Sequence, residues 1–203
     1  MTFIQTAEEL DALYGKPVES ATIKVTRVIT EDYRRLIEAS PFVALATAGP
    51  EGLDCSPRGD HPGFIRVDSP KRILLPDRRG NNRVDSLRNI VHDPRVALLF
   101  FIPGSIVTLR VNGNARISVD EPLLKSFEVD GKSPRSVIVV DVSEVYFQCG
   151  RALMRSDIWN TDRHVPPDQL PTPGEILANL SSNRLGGEAY DNAWPDRARN
   201  TLW

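Results

Sequence analysis

The sequence has few cysteines and no long apolar run. Its 203 residues include two cysteines, Cys55 and Cys149, whose positions match no disulfide framework and no metal-binding spacing. No stretch approaches the length that a membrane-spanning helix needs, and residues 1–9 lack the basic start and apolar core of an export signal. We therefore expect a cytoplasmic protein with reduced thiols, no bound metal and no membrane association.

Excess charge of either sign is also missing. The formal net charge of −2 gives no reason to expect nucleic acid or an anionic membrane as a partner. The chain contains neither a Gly-x-Gly-x-x-Gly motif after its first strand nor a Walker lysine motif, which disfavours the nucleotide-binding folds that carry them. A length of 203 residues is nevertheless enough to bury a full core in one domain.

Strands dominate the middle of the chain. Apolar alternation, valine-rich runs and turn clusters predict strands at 42–47, 53–57 with a continuation at 64–67, 72–75, 95–102, 105–119 and 135–147. Capping and periodicity predict helices at 7–14, 31–39 and 84–92, a short helix after residue 120 and about two turns after Gly150. Asn82 or Asp85 is the expected cap of the helix at 84–92. This pattern predicts an α+β protein built on a six-stranded antiparallel barrel.

Composition changes near residue 160. The remainder of the chain is rich in Pro and Asn and holds one predicted helix, at 172–180, with Thr172 and Glu175 as its capping box. We expect residues 1–160 to form the barrel domain with its N-terminal helices. Residues 161–203 are expected to form a C-terminal extension that packs on the barrel or on a dimer partner.

Arginine is concentrated where the strand at 72–75 gives way to a helix. Residues 76–83 read Pro-Asp-Arg-Arg-Gly-Asn-Asn-Arg. Backbone N–H groups at a helix start are unpaired, arginine supplies bidentate donors, and Gly80 permits a close approach. Adjacent side chains of an extended segment point to opposite sides, so only one of Arg78 and Arg79 is expected to face an anion. The segment predicts a phosphate site, against the alternative that these arginines are solvated loop charges.

Four segments in this order resemble the pyridoxamine 5′-phosphate oxidase-like superfamily of FMN-binding split barrels. They are the opening strand 42–47, its return strand 52–60, the segment 75–83 followed by Leu87 and Asn89, and the strand 109–115. The resemblance covers about residues 30–159 and implies an antiparallel split β-barrel of the FMN-binding type. It also implies a homodimer that binds FMN at the subunit interface.

Two segments separate the chain from the vitamin B6 oxidase itself. Where that enzyme has a basic residue for its substrate phosphate, residues 58–61 read Arg-Gly-Asp-His. The tail at 194–197 also lacks the tryptophan–arginine–leucine signature of the B6 enzyme. The resemblance is therefore to a different FMN-dependent branch, and it does not name the substrate.

The resemblance also assigns binding roles. Asn81, Asn82 and Arg83 are the first candidates for the flavin phosphate, and backbone groups near Pro76 and Asp77 would serve the ring. Thr108 and Arg110 on the strand at 105–119, with Arg155 and Ser156 near the C-terminal side, would contribute to the partner subunit's site. The full set of expected cofactor-binding residues is Arg58, Pro76, Asp77, Arg79, Asn81, Asn82, Arg83, Thr108, Arg110, Arg155 and Ser156.

No catalytic residue is indicated by the sequence. An Asp60–His61 pair suggests a proton donor near the substrate, but such a pair in a Pro/Gly-rich loop is more often incidental. The leading hypothesis is an FMN-dependent oxidoreductase that moves two electrons between a small organic substrate and bound FMN. The alternatives are a non-catalytic flavin, F420 or haem carrier of the same fold, and an interaction module without cofactor. Haem is disfavoured because no histidine lies in a ligand context, and F420 because its acidic tail needs a further basic groove.

Overall fold

A computed structural model describes the whole chain, from Met1 to Trp203. It is an α+β protein in which one antiparallel sheet of seven strands carries the core. The strands are β1 Phe42–Gly49, β2 Gly52–Gly59, β3 Arg66–Ser69, β4 Arg72–Asp77, β5 Arg95–Phe101, β6 Thr108–Ser118 and β7 Ser136–Gln148. The predicted α+β class and antiparallel sheet are confirmed.

The sheet is open rather than closed, and it has seven strands instead of the predicted six. Its strand order is β2-β1-β5-β6-β7-β4-β3, so β2 and β3 are its two edges. The prediction that residues 64–67 continue the second strand is wrong. β3 instead pairs with β4, because the short turn at Pro70 and Lys71 makes the two strands a hairpin at the far edge.

Alternating side chains of the sheet build the core. Leu45 on β1, Leu98 and Phe100 on β5, Leu109 on β6 and Ile138 on β7 are fully buried. Along β1 and β5 buried residues alternate with more exposed ones, which is the period of two that a half-covered antiparallel sheet requires. This packed face fixes the ends of β2, β4 and β7, where the polar residues of the candidate site begin.

The chain has eight α-helices, and none is long and apolar enough to span a membrane. The predicted cap Thr172 accepts a hydrogen bond from the first turn of its helix, and Thr6 and Thr30 do the same for the helices at 7–14 and 31–39. The helices are α1 Ala7–Tyr14, α2 Glu19–Thr22, α3 Glu31–Ala39, α4 Asp85–His92, α5 Glu121–Lys125, α6 Arg151–Ser156, α7 Pro173–Leu180 and α8 Glu188–Arg199.

The C-terminal extension contains two α-helices, not the single one predicted. α8 was missed because Pro195 lies inside it and its N-cap, Gly187, offers no side-chain hydrogen bond. The two helices are joined by Asp191. Its carboxylate accepts hydrogen bonds from the Thr172 hydroxyl at 2.5 Å and the Gly174 backbone N–H at 2.8 Å. Tertiary contact of α8 with α7 thus outweighs the helix-breaking signal of proline.

Candidate functional site

A cleft of about 700 Å³ opens between the edge strand β2, the end of β4 and the start of α4. Its volume lies in the range of small-molecule sites. Five arginines and three aspartates contribute to its walls, together with a few apolar side chains. Seven of the predicted residues line it: Arg58, Pro76, Asp77, Arg79, Asn81, Asn82 and Arg83.

The backbone between β4 and α4 is strained. Asn82 and Val84 have φ angles of 62° and 54°, in the left-handed region that a β-branched residue such as Val84 rarely adopts. Strain of this kind persists only where the surrounding structure imposes it, and it concentrates at functional sites. The segment is therefore held in a specific shape rather than left as a relaxed loop.

The start of α4 has no side-chain cap. The prediction that Asn82 or Asp85 caps this helix is wrong, because the N-cap position is Val84. The Asn82 side-chain oxygen, Oδ1, instead accepts from Arg135 at 3.0 Å, and the Asp85 carboxylate accepts from Arg83 at 2.8 Å. The first turn of α4 lines the cleft and its backbone N–H groups have no side-chain cap, an arrangement that favours a bound anion.

Two arginines of the cleft are neutralised by buried carboxylates. Arg58 donates to Asp77, and Arg78 donates through Nε to Asp60 at 2.8 Å and through Nη1 to the Phe127 carbonyl at 2.8 Å. The Arg58 and Arg78 side chains are only 19% and 14% exposed. One donor remains unmet, since the buried Nε of Arg58 has no hydrogen-bond partner. A buried unpaired donor is costly, so a ligand oxygen at this position would be favourable.

Three further arginines are left for a ligand. Arg79 is exposed and has no ion-pair partner. Arg83 has a side chain 76% exposed and a single partner, Asp85. Arg135, which the sequence did not suggest, lines the cleft just before β7. The signal for Arg135 is the antiparallel register, because Ser136 lies opposite Asp77 at the end of β4.

Hydroxyl groups and a carboxylate fasten α4 to the sheet beneath the cleft. Asp54 Oδ2 accepts from the Ser56 hydroxyl at 2.8 Å and from the buried Ser86 hydroxyl at 2.6 Å. On the neighbouring strand, a Cβ added at Gly49 would lie 2.1 Å from the Asn89 side-chain oxygen, so α4 can approach only because this residue is glycine. Sequence reasoning missed this support because Ser86 is 32 positions from Asp54, and Asn89 is likewise distant from Gly49 along the chain.

Four predicted residues lie outside the cleft. Thr108 is buried at the start of β6, and Arg110 donates to the Tyr146 hydroxyl at 3.1 Å on the exposed side of the sheet. Arg155 and Ser156 are exposed in α6. Their expected contribution to a partner subunit's site stays a prediction.

The sequence profile of the family described as pyridoxamine 5′-phosphate oxidase matches residues 29–149, a range that includes every residue lining the cleft. The chain belongs to this family. The predicted resemblance is thus confirmed at the level of the family. No curated protein shows a significant sequence match to the chain.

Solved structures resemble the same part of this family member. A variant of HupZ from Group A Streptococcus gives a TM-score of 0.50 at 18% identity, with 59% of this chain and 99% of that chain covered. General Stress Protein 26 from Bacillus anthracis gives 0.43 at 15% identity, covering 56% and 88%. An FMN-binding protein from Syntrophomonas wolfei gives 0.43 at 11% identity, covering 57% and 88%. At these identities the HupZ likeness concerns the fold alone.

Proposed function

We propose that the protein binds FMN in the cleft and uses it for two-electron transfer with a small organic substrate. The observation that carries this proposal is the uncapped start of α4, next to which Arg79, Arg83 and Arg135 are available. Membership of the pyridoxamine 5′-phosphate oxidase family adds support, and so does the cleft volume.

The phosphate of FMN would lie at the start of α4. Arg79 and Arg83 would supply charge, the amides of Asn81 and Asn82 further donors, and the first turn of the helix its backbone N–H groups. A phosphate near two negative charges needs about two cations and several donors to offset its lost hydration. The segment offers both in eight consecutive residues, 79–86, without breaking the buried pair between Arg58 and Asp77.

The flat ring would lie along β2. This strand pairs only with β1, so the backbone groups on its free edge are available to the polar edge of a ring. Phe64, Pro57 and Pro76 supply apolar surface nearby. FMN itself provides the hydride and electron chemistry, and donors near its polar edge tune its potential.

The functional unit in this proposal is a homodimer. Thr108, Arg110, Arg155 and Ser156 would contribute to the site of the partner subunit. Exposed apolar side chains accompany them, since Ile106 is 50%, Phe147 40% and Met154 63% exposed. Apolar residues of this size favour burial in a subunit contact. Sedimentation of the purified protein should give twice the mass of the chain, and a monomer would contradict this assignment.

The direct test is to purify the protein and record its absorbance spectrum before and after addition of FMN. Flavin bands that remain with the protein after gel filtration are the expected result, and a colourless protein that takes up no FMN would overturn the proposal. Rapid-mixing reduction by NADH or NADPH then tests the catalytic part. A saturable dependence on the donor supports an oxidoreductase, whereas bound FMN that neither donor reduces would favour a flavin-binding or storage protein.

A further inference from the structure

The side chain of Trp203 lies close to Arg78, the residue that follows β4. The Trp203 ring centroid lies 5.3 Å from the guanidinium carbon of Arg78 and 5.6 Å from the centroid of the His61 ring. Trp203 is half-buried, and Arg78, which it contacts, lines the cleft.

The extension that carries Trp203 is itself braced. Tyr190 and Trp194 stack with ring centroids 6.5 Å apart, and Arg197 lies over both rings at 4.8 Å and 5.0 Å. The Thr201 hydroxyl donates to the Arg197 carbonyl at 2.7 Å and closes the end of α8. Together with the Asp191 contacts to α7, these interactions fix the direction in which the last two residues leave the helix.

Arg78 is the cleft residue that Trp203 of the C-terminal extension contacts. Its guanidinium is enclosed by the Asp60 carboxylate, the Phe127 carbonyl and the Trp203 indole. The Asp60 side chain is 3% exposed, so water has little access to the ion pair. An aromatic face over a guanidinium adds attraction and also excludes solvent. Arg78 is covalently followed by the segment 79–84 that contains the strained residues Asn82 and Val84.

We propose that Trp203 is a positioning residue for the cleft. By covering the pair of Arg78 and Asp60, it anchors the first residue of the segment 78–84 and holds the rest in the shape that receives an anion. Trp203 acts through Arg78 and does not touch the ligand. The identity of that anion as the FMN phosphate rests on the proposed function, but the anchoring itself can be measured without FMN.

The first experiment measures amide hydrogen exchange in the ligand-free protein. Substituting Trp203→Ala should speed exchange in a peptide covering 78–84 by about fivefold, the loss expected for a cation–π contact. Trp203→Phe should restore slow exchange because it keeps an aromatic face. Leu202→Ala is the matched control, since it removes an apolar side chain that is 55% exposed from the residue next to Trp203. Unchanged exchange in Trp203→Ala, or equal acceleration in both alanine variants, would overturn the proposal.

The second experiment measures the reverse coupling. Because coupling between two sites is reciprocal, FMN should slow exchange in residues 200–203 of the wild type, and Trp203→Ala should weaken FMN binding by about the same fivefold. If the wild type binds no FMN while the ligand-free exchange still depends on Trp203, the proposed function fails and the anchoring stands. If FMN binds and Trp203→Ala changes neither its affinity nor the exchange of 78–84, the anchoring fails and the proposed function stands.

Discussion

The arginines around the cleft fall into two groups that differ in burial. Arg58 and Arg78 are 19% and 14% exposed and are joined to Asp77 and Asp60, respectively. Arg83 is 76% exposed, and its one partner, Asp85, is 40% exposed. The charges of Arg58 and Arg78 are compensated by carboxylates in a region with little water. The charge of Arg83 is largely solvated by water.

This difference in burial distinguishes arginines that stabilise the fold from arginines that can bind a ligand. If a buried guanidinium broke its ion pair to bind a ligand, its carboxylate would remain buried and unpaired, which is costly. An exposed guanidinium can turn to a phosphate with little loss, since surface ion pairs contribute little to stability. Substitutions in the first group should therefore change the free energy of unfolding, and substitutions in the second should change ligand affinity.

The largest effect is expected for Asp60→Ala. Removing this carboxylate leaves Arg78 buried without its ion-pair partner, which should lower the free energy of unfolding by about 3 kcal/mol. Chemical denaturation followed by circular dichroism measures the change. Asp68→Ala is the control, because Asp68 is 46% exposed and lies 3.9 Å from Arg72, so a loss under about 0.5 kcal/mol is expected. An equal loss of unfolding free energy in Asp60→Ala and Asp68→Ala would contradict the distinction between buried and exposed ion pairs.

Arg83→Ala should act on binding. We expect it to weaken FMN binding by about 1.5–3 kcal/mol, as for a lost charged hydrogen bond, and to change the free energy of unfolding by less than about 0.5 kcal/mol. Titration calorimetry with FMN and a denaturation curve measure the two quantities. Arg116→Ala is the matched control, since Arg116 is 69% exposed and pairs with Asp141 on the sheet. Full FMN affinity in Arg83→Ala would remove this residue from the site.

Arg135→Ala sharpens the same comparison with a residue that only the structure identified. Its hydrogen bond to Asn82 holds the strained segment, so its loss should weaken FMN binding by about 1 kcal/mol. Fluorescence titration of FMN is sensitive enough for a change of this size. A tighter complex after the substitution would mean that Arg135 restrains the segment in an unproductive shape.

Arg95 and Asp93 form an ion pair near the surface, for which we expect the smallest effect on stability. The side-chain hydrogen bond from Arg95 holds the pKa of Asp93 at about 2, below its ordinary value of 3.8. A depressed carboxyl pKa stabilises the fold above pH 3.8, and this contribution is lost as the pH falls through about 2. NMR titration of the Asp93 carboxyl should show the low pKa, while Asp93→Asn removes its small share of acid sensitivity. A titration near the ordinary value would contradict the pair.

Local signals made much of the sheet and the cleft segment predictable. The turn cluster at 48–52 placed the β1–β2 hairpin, and the run of arginine and asparagine at 78–83 lies on the wall of the cleft. The family resemblance implied the antiparallel β architecture. These features are encoded within a few residues of where they act.

Long-range contacts were not predictable in the same way. Asp60 and Arg78 meet across 18 positions of sequence, and Arg135 meets Asn82 across 53. No local pattern specifies either pair, because each depends on which strands become neighbours. The helix α8 was hidden by Pro195, whose cost is offset by packing on α7. The contact of Trp203 with Arg78 depends in turn on that helix.

The measurement that tests the central claim most directly compares FMN with riboflavin, which lacks only the phosphate. Wild-type protein should bind FMN at least about tenfold more tightly than riboflavin, since two or more charged hydrogen bonds hold the phosphate. In Arg83→Ala this preference should shrink by about tenfold or more. Equal affinity of the wild type for the two ligands would show that the start of α4 is not the phosphate site.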